Sequence, residues 1–218
     1  MEIKKEKIIL FDLDGTLIDS TEAILESFHY SFDIFKIERP KDSEIVAEIG
    51  YPLDVMFISL GVDRDIVWDI VAKYKEKYRL ISRDKTFLLP NAKEAILEAS
   101  KIARLGVVTT KTTKYSVELL EYMAIKDYFE VFIGREDVIN PKPHPEPILK
   151  ALSKFNDNKD INNCWMIGDT CMDMNSAKEA KINYIGVTCG YALEEELSKC
   201  ATIVTKNALE AVALITRS

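Results

Sequence analysis

Lys7-Ile8-Ile9-Leu10-Phe11-Asp12-Leu13-Asp14-Gly15-Thr16 is the stretch that decides the fold. The apolar run from Ile8 to Phe11 has no polar alternation, so it reads as a strand buried on both faces, as in a parallel sheet covered by helices. Two aspartates in extended spacing follow, which places them on one face, and then a glycine that lets the chain turn sharply. Ligand sites of open α/β sheets lie at the carboxyl ends of strands, so Asp12 and Asp14 stand where chemistry is expected. A pair of turn-forming aspartates would read alike. A calcium loop fits less well, because the DxDxDG spacing and the later glutamate are missing.

Outward from that strand, short apolar runs alternate with amphipathic helical stretches. Runs at 7–11, 104–109, 131–133, 163–167, 184–187 and 202–204 are separated, in the later part, by helical patterns at 91–101, 113–123, 145–155, 172–181 and 208–215. The alternation predicts an α/β fold, a doubly wound, Rossmann-like parallel sheet. Between the first and second runs the gap is too long for one crossover and is mostly helical: Ile24, Phe28, Phe32 and Phe35 form one stripe, and Ile66, Ile70, Tyr74 and Tyr78 another. These aromatics read as core packing. Residues 17–84 are therefore expected to be an inserted helical cap domain, with 1–16 and 85–218 as the catalytic core. Asp19 with Glu22, and Asn91 with Glu94, have capping-box spacing at two helix starts.

The chain of 218 residues carries 29 Lys+Arg and 36 Asp+Glu, a net charge of −7. That balance argues against a nucleic-acid or acidic-membrane binder. Of the −7, residues 17–84 hold −5, with 9 basic and 14 acidic side chains, so the acidity says little about a small anionic substrate. Residues 1–7 are followed by too short an apolar run for a signal peptide, and no window is long enough for a membrane span. Cys164, Cys171, Cys189 and Cys200 match no metal spacing; reduced thiols and a cytoplasmic location are the expected reading. His29 is read as packing on the cap stripe, and His144 as exposed.

A second acidic motif, Gly168-Asp169-Thr170-Cys171-Met172-Asp173, again ends a strand and opens a helix. An ordinary turn with a helix cap would look similar by itself. Together with Asp12 and Asp14 it assembles four carboxylates that would repel one another, and an all-oxygen donor set suits a divalent cation, magnesium rather than zinc. Two further strand ends supply the electropositive side. Thr109-Thr110-Lys111 offers hydroxyls and backbone N–H groups at a helix start, suited to an anion. Lys142 stands between prolines in Asn140-Pro141-Lys142-Pro143, a loop stiff enough to fix its direction.

With all four motifs in this order, the sequence resembles the haloacid dehalogenase superfamily, in its phosphatase branch with a helical cap. The resemblance covers essentially the whole chain: Asp-x-Asp-Gly-Thr at Asp12 to Thr16, the Ser/Thr motif at Thr109, the lysine motif at Lys142 and Gly-Asp-x-x-x-Asp at Gly168 to Asp173. It implies a Mg²⁺-dependent hydrolase of a small phosphorylated metabolite and leaves open whether the protein is a monomer or a homodimer. Asp12 would be the nucleophile forming an aspartyl-phosphate, and Asp14 the acid and base. Asp12, Asp169 and the Asp14 carbonyl would hold the metal, and Asp173 would bind it through water or orient the site. Thr109, Thr110 and Lys142 would bind the phosphoryl oxygens, and Lys142 would also contact Asp12.

Asp14 counts against a dehalogenase, which lacks the second aspartate, and the cap lysines Lys36, Lys41, Lys73, Lys75 and Lys77 read as solvated rather than as Schiff-base lysines. The motif context looks most like phosphoglycolate phosphatases and their pyrophosphatase relatives, with a β-phosphoglucomutase-type mutase as a further alternative. Gly50 and Tyr51, in the cap loop, and Lys111 are the candidates for substrate selection. A helix-to-helix turn is the ordinary reading of Gly50.

Overall fold

A computed structural model describes residues 6–155 and 160–217. Along the chain the elements are β1 (Lys7–Phe11), β2 (Ile18–Asp19), α1 (Thr21–Phe35), α2 (Asp42–Ala47), α3 (Leu53–Ser59), α4 (Val67–Ile81), β3 (Phe87–Leu88), α5 (Ala92–Ile102), β4 (Ala103–Val108) and α6 (Thr113–Tyr122). They continue as β5 (Phe129–Ile133), α7 (Glu146–Lys154), β6 (Cys164–Gly168), α8 (Cys171–Glu179), β7 (Asn183–Val187), α9 (Glu194–Leu197), β8 (Val204–Thr205) and α10 (Ala208–Arg217). Six strands form a parallel sheet in the order β5-β4-β1-β6-β7-β8. The doubly wound α/β sheet expected from the sequence is thus observed.

The unbroken apolar run of β1 is explained by burial on both sides. Ile9 and Phe11 join a cluster with Ala95, Ile96 and Ala99 of α5, Leu119 and Leu120 of α6, and Val212 and Ile215 of α10. Ile8 and Leu10 point the other way, to Ile148 and Leu152 of α7 and Ala177 of α8. Because β1 lies between β4 and β6, its carboxyl end stands beside those of both neighbours. This adjacency brings residues near positions 12, 109 and 169 together.

Helices α1 to α4 form a layer with its own cluster, in which Phe57 lies 4.4 Å from Phe28, 5.7 Å from Phe32 and 6.1 Å from Tyr74, ring centre to ring centre. The two expected stripes fall on α1 and α4. The shorter α2 and α3 escaped the periodicity because neither completes two turns and a loop with Gly50 and Pro52 interrupts them. Leu17 and Ile18 pack in the sheet's cluster, and β2 pairs antiparallel with β3 through Ile18 and Leu88. Two-residue strands carry no periodicity, so this pair was not expected from the sequence.

Four local expectations need correction. Neither capping box forms: Asn91 has φ +64° with no side-chain cap, and Glu22 turns to Lys85 at 2.6 Å, while Asp19 Oδ1 accepts from the Thr21 N–H at 2.9 Å. His29 does more than pack, since its Nε2 lies 2.8 Å from Asp42 Oδ1. Cys171 and Cys200 form a disulfide with Cα atoms 5.7 Å apart, which Cys164 and Cys189 do not join. Folding sets the start of α8 beside the chain following α9, which a separation of 29 residues does not announce. The cysteines therefore no longer speak for a reducing compartment. No helix among the described residues is long and apolar enough to cross a membrane. The signal-peptide expectation rests on residues 1–7, of which 1–5 lie outside the described residues.

Candidate active site

Asp12 follows directly on β1 and is buried, as are Asp169 after β6 and Asp173 in the first turn of α8. One carboxylate oxygen from each lies within 4.8 Å of the others. Lys142 is buried among them, with Nζ 3.0 Å from Asp12 Oδ2 and 2.6 Å from Asp173 Oδ1, and it also donates to the Val108 carbonyl at 3.2 Å. The neighbouring prolines deliver its side chain inward, through a loop that returns beside β4. One ammonium contacts two of the three buried acids, so with all three ionised the cluster is net negative.

That imbalance shows in the titration behaviour. Burial raises the Asp12 carboxyl to about 7, with Asp173 and Asp14 adding to the rise and Lys142 opposing it. Burial likewise pushes Asp169 well above the usual range, helped by Asp173 and Asp12. For Lys142 burial disfavours the charge, but Asp12 and Asp173 outweigh it and hold the ammonium above its ordinary range.

The acids are fixed by their surroundings. Thr16 Oγ1 donates to Asp169 Oδ1 at 3.0 Å, and the Tyr191 N–H to Asp169 Oδ2 at 2.9 Å. Asp173 Oδ2 accepts from Thr170 N at 3.2 Å and Oγ1 at 2.8 Å, closing a capping box at the start of α8. Gly15, at φ +75°, is forced: a Cβ there would lie 2.1 Å from Asp169 Oδ2. In contrast, Asp12 Oδ1 is buried and has no hydrogen-bond partner. An unpaired carboxylate oxygen in a net negative, all-oxygen cluster fits a divalent cation, which would satisfy that atom and offset the charge. Asp12, Asp169 and Asp173 can hold a metal.

The Asp14 carboxylate lies outside this triad. It accepts from Ser20 Oγ, and Lys111 Nζ lies 2.9 Å from its Oδ2. Burial works against charge on Lys111, yet Asp14 and the phenol groups of Tyr78 and Tyr74 hold its ammonium well above the usual range. Thr109 is buried at the end of β4, where its Oγ1 accepts from the Lys111 N–H at 3.2 Å. Asp14, Thr110 and Lys111 line a cavity of about 320 Å³ between the sheet and the helical layer, with Gly50 and Tyr51 on its far side. The candidates thus divide: Asp12, Lys142, Asp169 and Asp173 cluster in the buried centre, Asp14, Gly50, Tyr51, Thr110 and Lys111 line the chamber, and Thr109 is buried after β4. Lys75, expected to be solvated, also lines the chamber.

Sequence reasoning passed over Thr16, Ser20, Thr170 and Tyr191 as site residues. The Thr170 to Asp173 spacing is itself a capping signal, whereas Tyr191 acts through its backbone N–H and left no signal.

A family model described as haloacid dehalogenase-like hydrolase matches residues 9–187. The chain belongs to the haloacid dehalogenase-like hydrolases. It is 34% identical over 196 residues to a pyrophosphatase PpaX from Bacillus pumilus, covering 88% of this chain and 87% of that protein. It is 31% identical over 215 residues to a phosphoglycolate phosphatase from Salmonella typhi, covering 87% and 84%. Among solved structures, a haloacid dehalogenase-like family hydrolase from Streptococcus pneumoniae superposes with a TM-score of 0.85 at 26% identity, over 97% of this chain and 99% of that one. Within the haloacid dehalogenase-like hydrolases, the chain is a phosphatase.

Proposed function

We propose that the protein hydrolyses a small phosphate monoester through an aspartyl-phosphate on Asp12. The observation that carries this reading is the buried, unpaired Asp12 Oδ1 beside the Lys142 ammonium, next to a chamber that can admit a leaving group. A carboxylate with one oxygen held by an ammonium and the other without a hydrogen-bond donor is open to phosphorus on its unpaired side, and the fixed cation nearby steadies the phosphoryl oxygens.

In the first half-reaction an Asp12 oxygen bonds to phosphorus, the ester P–O bond breaks, and Asp14 gives its proton to the departing oxygen. In the second, Asp14 takes a proton from water, the resulting hydroxide attacks the same phosphorus, and Asp12 and inorganic phosphate are released. Ser20 and Lys111 hold the Asp14 carboxyl where chamber and reaction centre meet. Thr109, Thr110 and Lys142 bind the phosphoryl oxygens. Asp12, Asp169, the Asp14 carbonyl and Asp173 would hold Mg²⁺, which when bound neutralises charge on the transferring group. The enzyme would act in the cytoplasm. The similarity to PpaX makes pyrophosphate the alternative substrate.

Phosphate release measured over phosphoglycolate, pyrophosphate and sugar phosphates, with and without Mg²⁺, tests the reading. Asp12→Asn is expected to lose turnover by several orders of magnitude while remaining folded. Turnover close to native in that variant would remove Asp12 from the mechanism.

A further inference from the structure

Beside the cations Lys75, Arg79, Lys111 and Arg135, which a carboxylate or a second phosphate could use, the chamber's walls carry a set of aromatic rings that neither requires. Trp68, Tyr74 and Tyr78 of α4, Tyr115 of α6 and Tyr51 before α3 line one cavity, with Asp14 at its core end. Packing accounts for Tyr74 and Tyr78, which are buried. It does not account for Trp68, 61% exposed, or Tyr51, 42% exposed, although both line this cavity. A single exposed aromatic is ordinary; several gathered around one concave space are the composition of a ligand site. The volume of about 320 Å³ falls at the lower end of the ~300–1,000 Å³ typical of organic-ligand pockets. Two cation–ring contacts frame it: Arg79 over Tyr115 at 4.3 Å and Lys111 over Tyr78 at 4.5 Å. They join the helical layer to the sheet domain and orient two of the rings.

We propose that the substrate's leaving group carries an aromatic ring, held in this chamber while its phosphoryl group reaches Asp12 past Asp14. The proposal rests on the phosphatase reading above and sharpens it to aromatic phosphate esters. Ring-on-ring contact selects such a group through binding rather than through the acid and base chemistry, which remains that of Asp12 and Asp14. A phosphoglycolate or pyrophosphate leaving group presents no face to these side chains.

Benzyl phosphate is the probe, because its alkyl ester bond is comparable in lability to that of phosphoglycolate. The native enzyme is expected to show kcat/KM for benzyl phosphate at least tenfold above that for phosphoglycolate or pyrophosphate. Trp68→Ala should lower that ratio at least tenfold, mainly through KM, and Trp68→Phe should retain it. Native preference for either smaller substrate, or an unchanged ratio in Trp68→Ala, overturns the proposal. If no compound releases phosphate, the hydrolase reading fails instead. The chamber assignment then stands if benzyl phosphate quenches tryptophan fluorescence in the native protein but not in Trp68→Phe, and falls if it quenches neither.

Discussion

Gly15 and Asp12 are neighbours in one motif with opposite structural burdens. Gly15 adopts a backbone that L side chains avoid, and any Cβ would strike Asp169. Gly15→Ala should therefore cost at least ~1–2 kcal/mol from the left-handed backbone alone, and activity with it; urea unfolding together with an activity assay checks both. Asp12→Asn removes one charge from a net negative buried cluster, so its unfolding midpoint should equal or exceed the native one. A loss of stability in Asp12→Asn matching that of Gly15→Ala would mean that Asp12 is structural. At this scale Asp12, Asp14 and Asp169 were legible because a strand end marks them, Asp173 because a helix opens there, and Lys142 because the flanking prolines set it apart. Ser20 and Tyr191 were not, because a lone serine and a backbone N–H have no distinguishing pattern until the chain folds around Asp14 and Asp169.

Helix α1 is tied to α4 and to the chain after it by Glu26, which lies 2.7 Å from Lys77 and 2.5 Å from Lys85. Hydrogen bonds from Lys77 and Lys85 lower its carboxyl from 4.5 to about 2. A carboxyl whose folded value is depressed adds stability above its unfolded value and loses it as pH falls through the folded one. Glu26→Gln should thus lower the melting temperature by no more than a few degrees at pH 7. The gap from native should close between pH 4.5 and about 2, and should shrink in high salt because the pair is exposed. A gap independent of pH would show that the bridge contributes nothing. Elements this long were legible from their stripes, such as Ile24, Phe28 and Phe32 on α1. The two-residue β2 and β3, the brief α2 and α9, and the Cys171–Cys200 link were not, since each depends on a distant partner or on too few residues to show a period.

Across the whole molecule, apolar packing falls into separate clusters, two flanking the sheet and one confined mainly to α1–α4. Phe57→Ala, at a fully buried ring in the last of these, should cost about 3–5 kcal/mol. Its effect should be local: amide exchange should quicken in α1, α3 and α4 while β1, β4 and β6 keep their protection. Uniform quickening would show that the helical layer and the sheet unfold together. Ile18 and Leu88, paired across the separate two-stranded sheet β2–β3, mark where the chain enters and leaves the helical layer. The chamber residues from Ile24 to Arg79 therefore lie on one contiguous segment whose two ends already touch, while Tyr115, Arg135 and Glu136 line the chamber from the sheet domain. Such a segment can be exchanged for that of a relative without rethreading the sheet, so the choice of leaving group can evolve by replacement of a single block while Asp12, Lys142, Asp169 and Asp173 stay as they are.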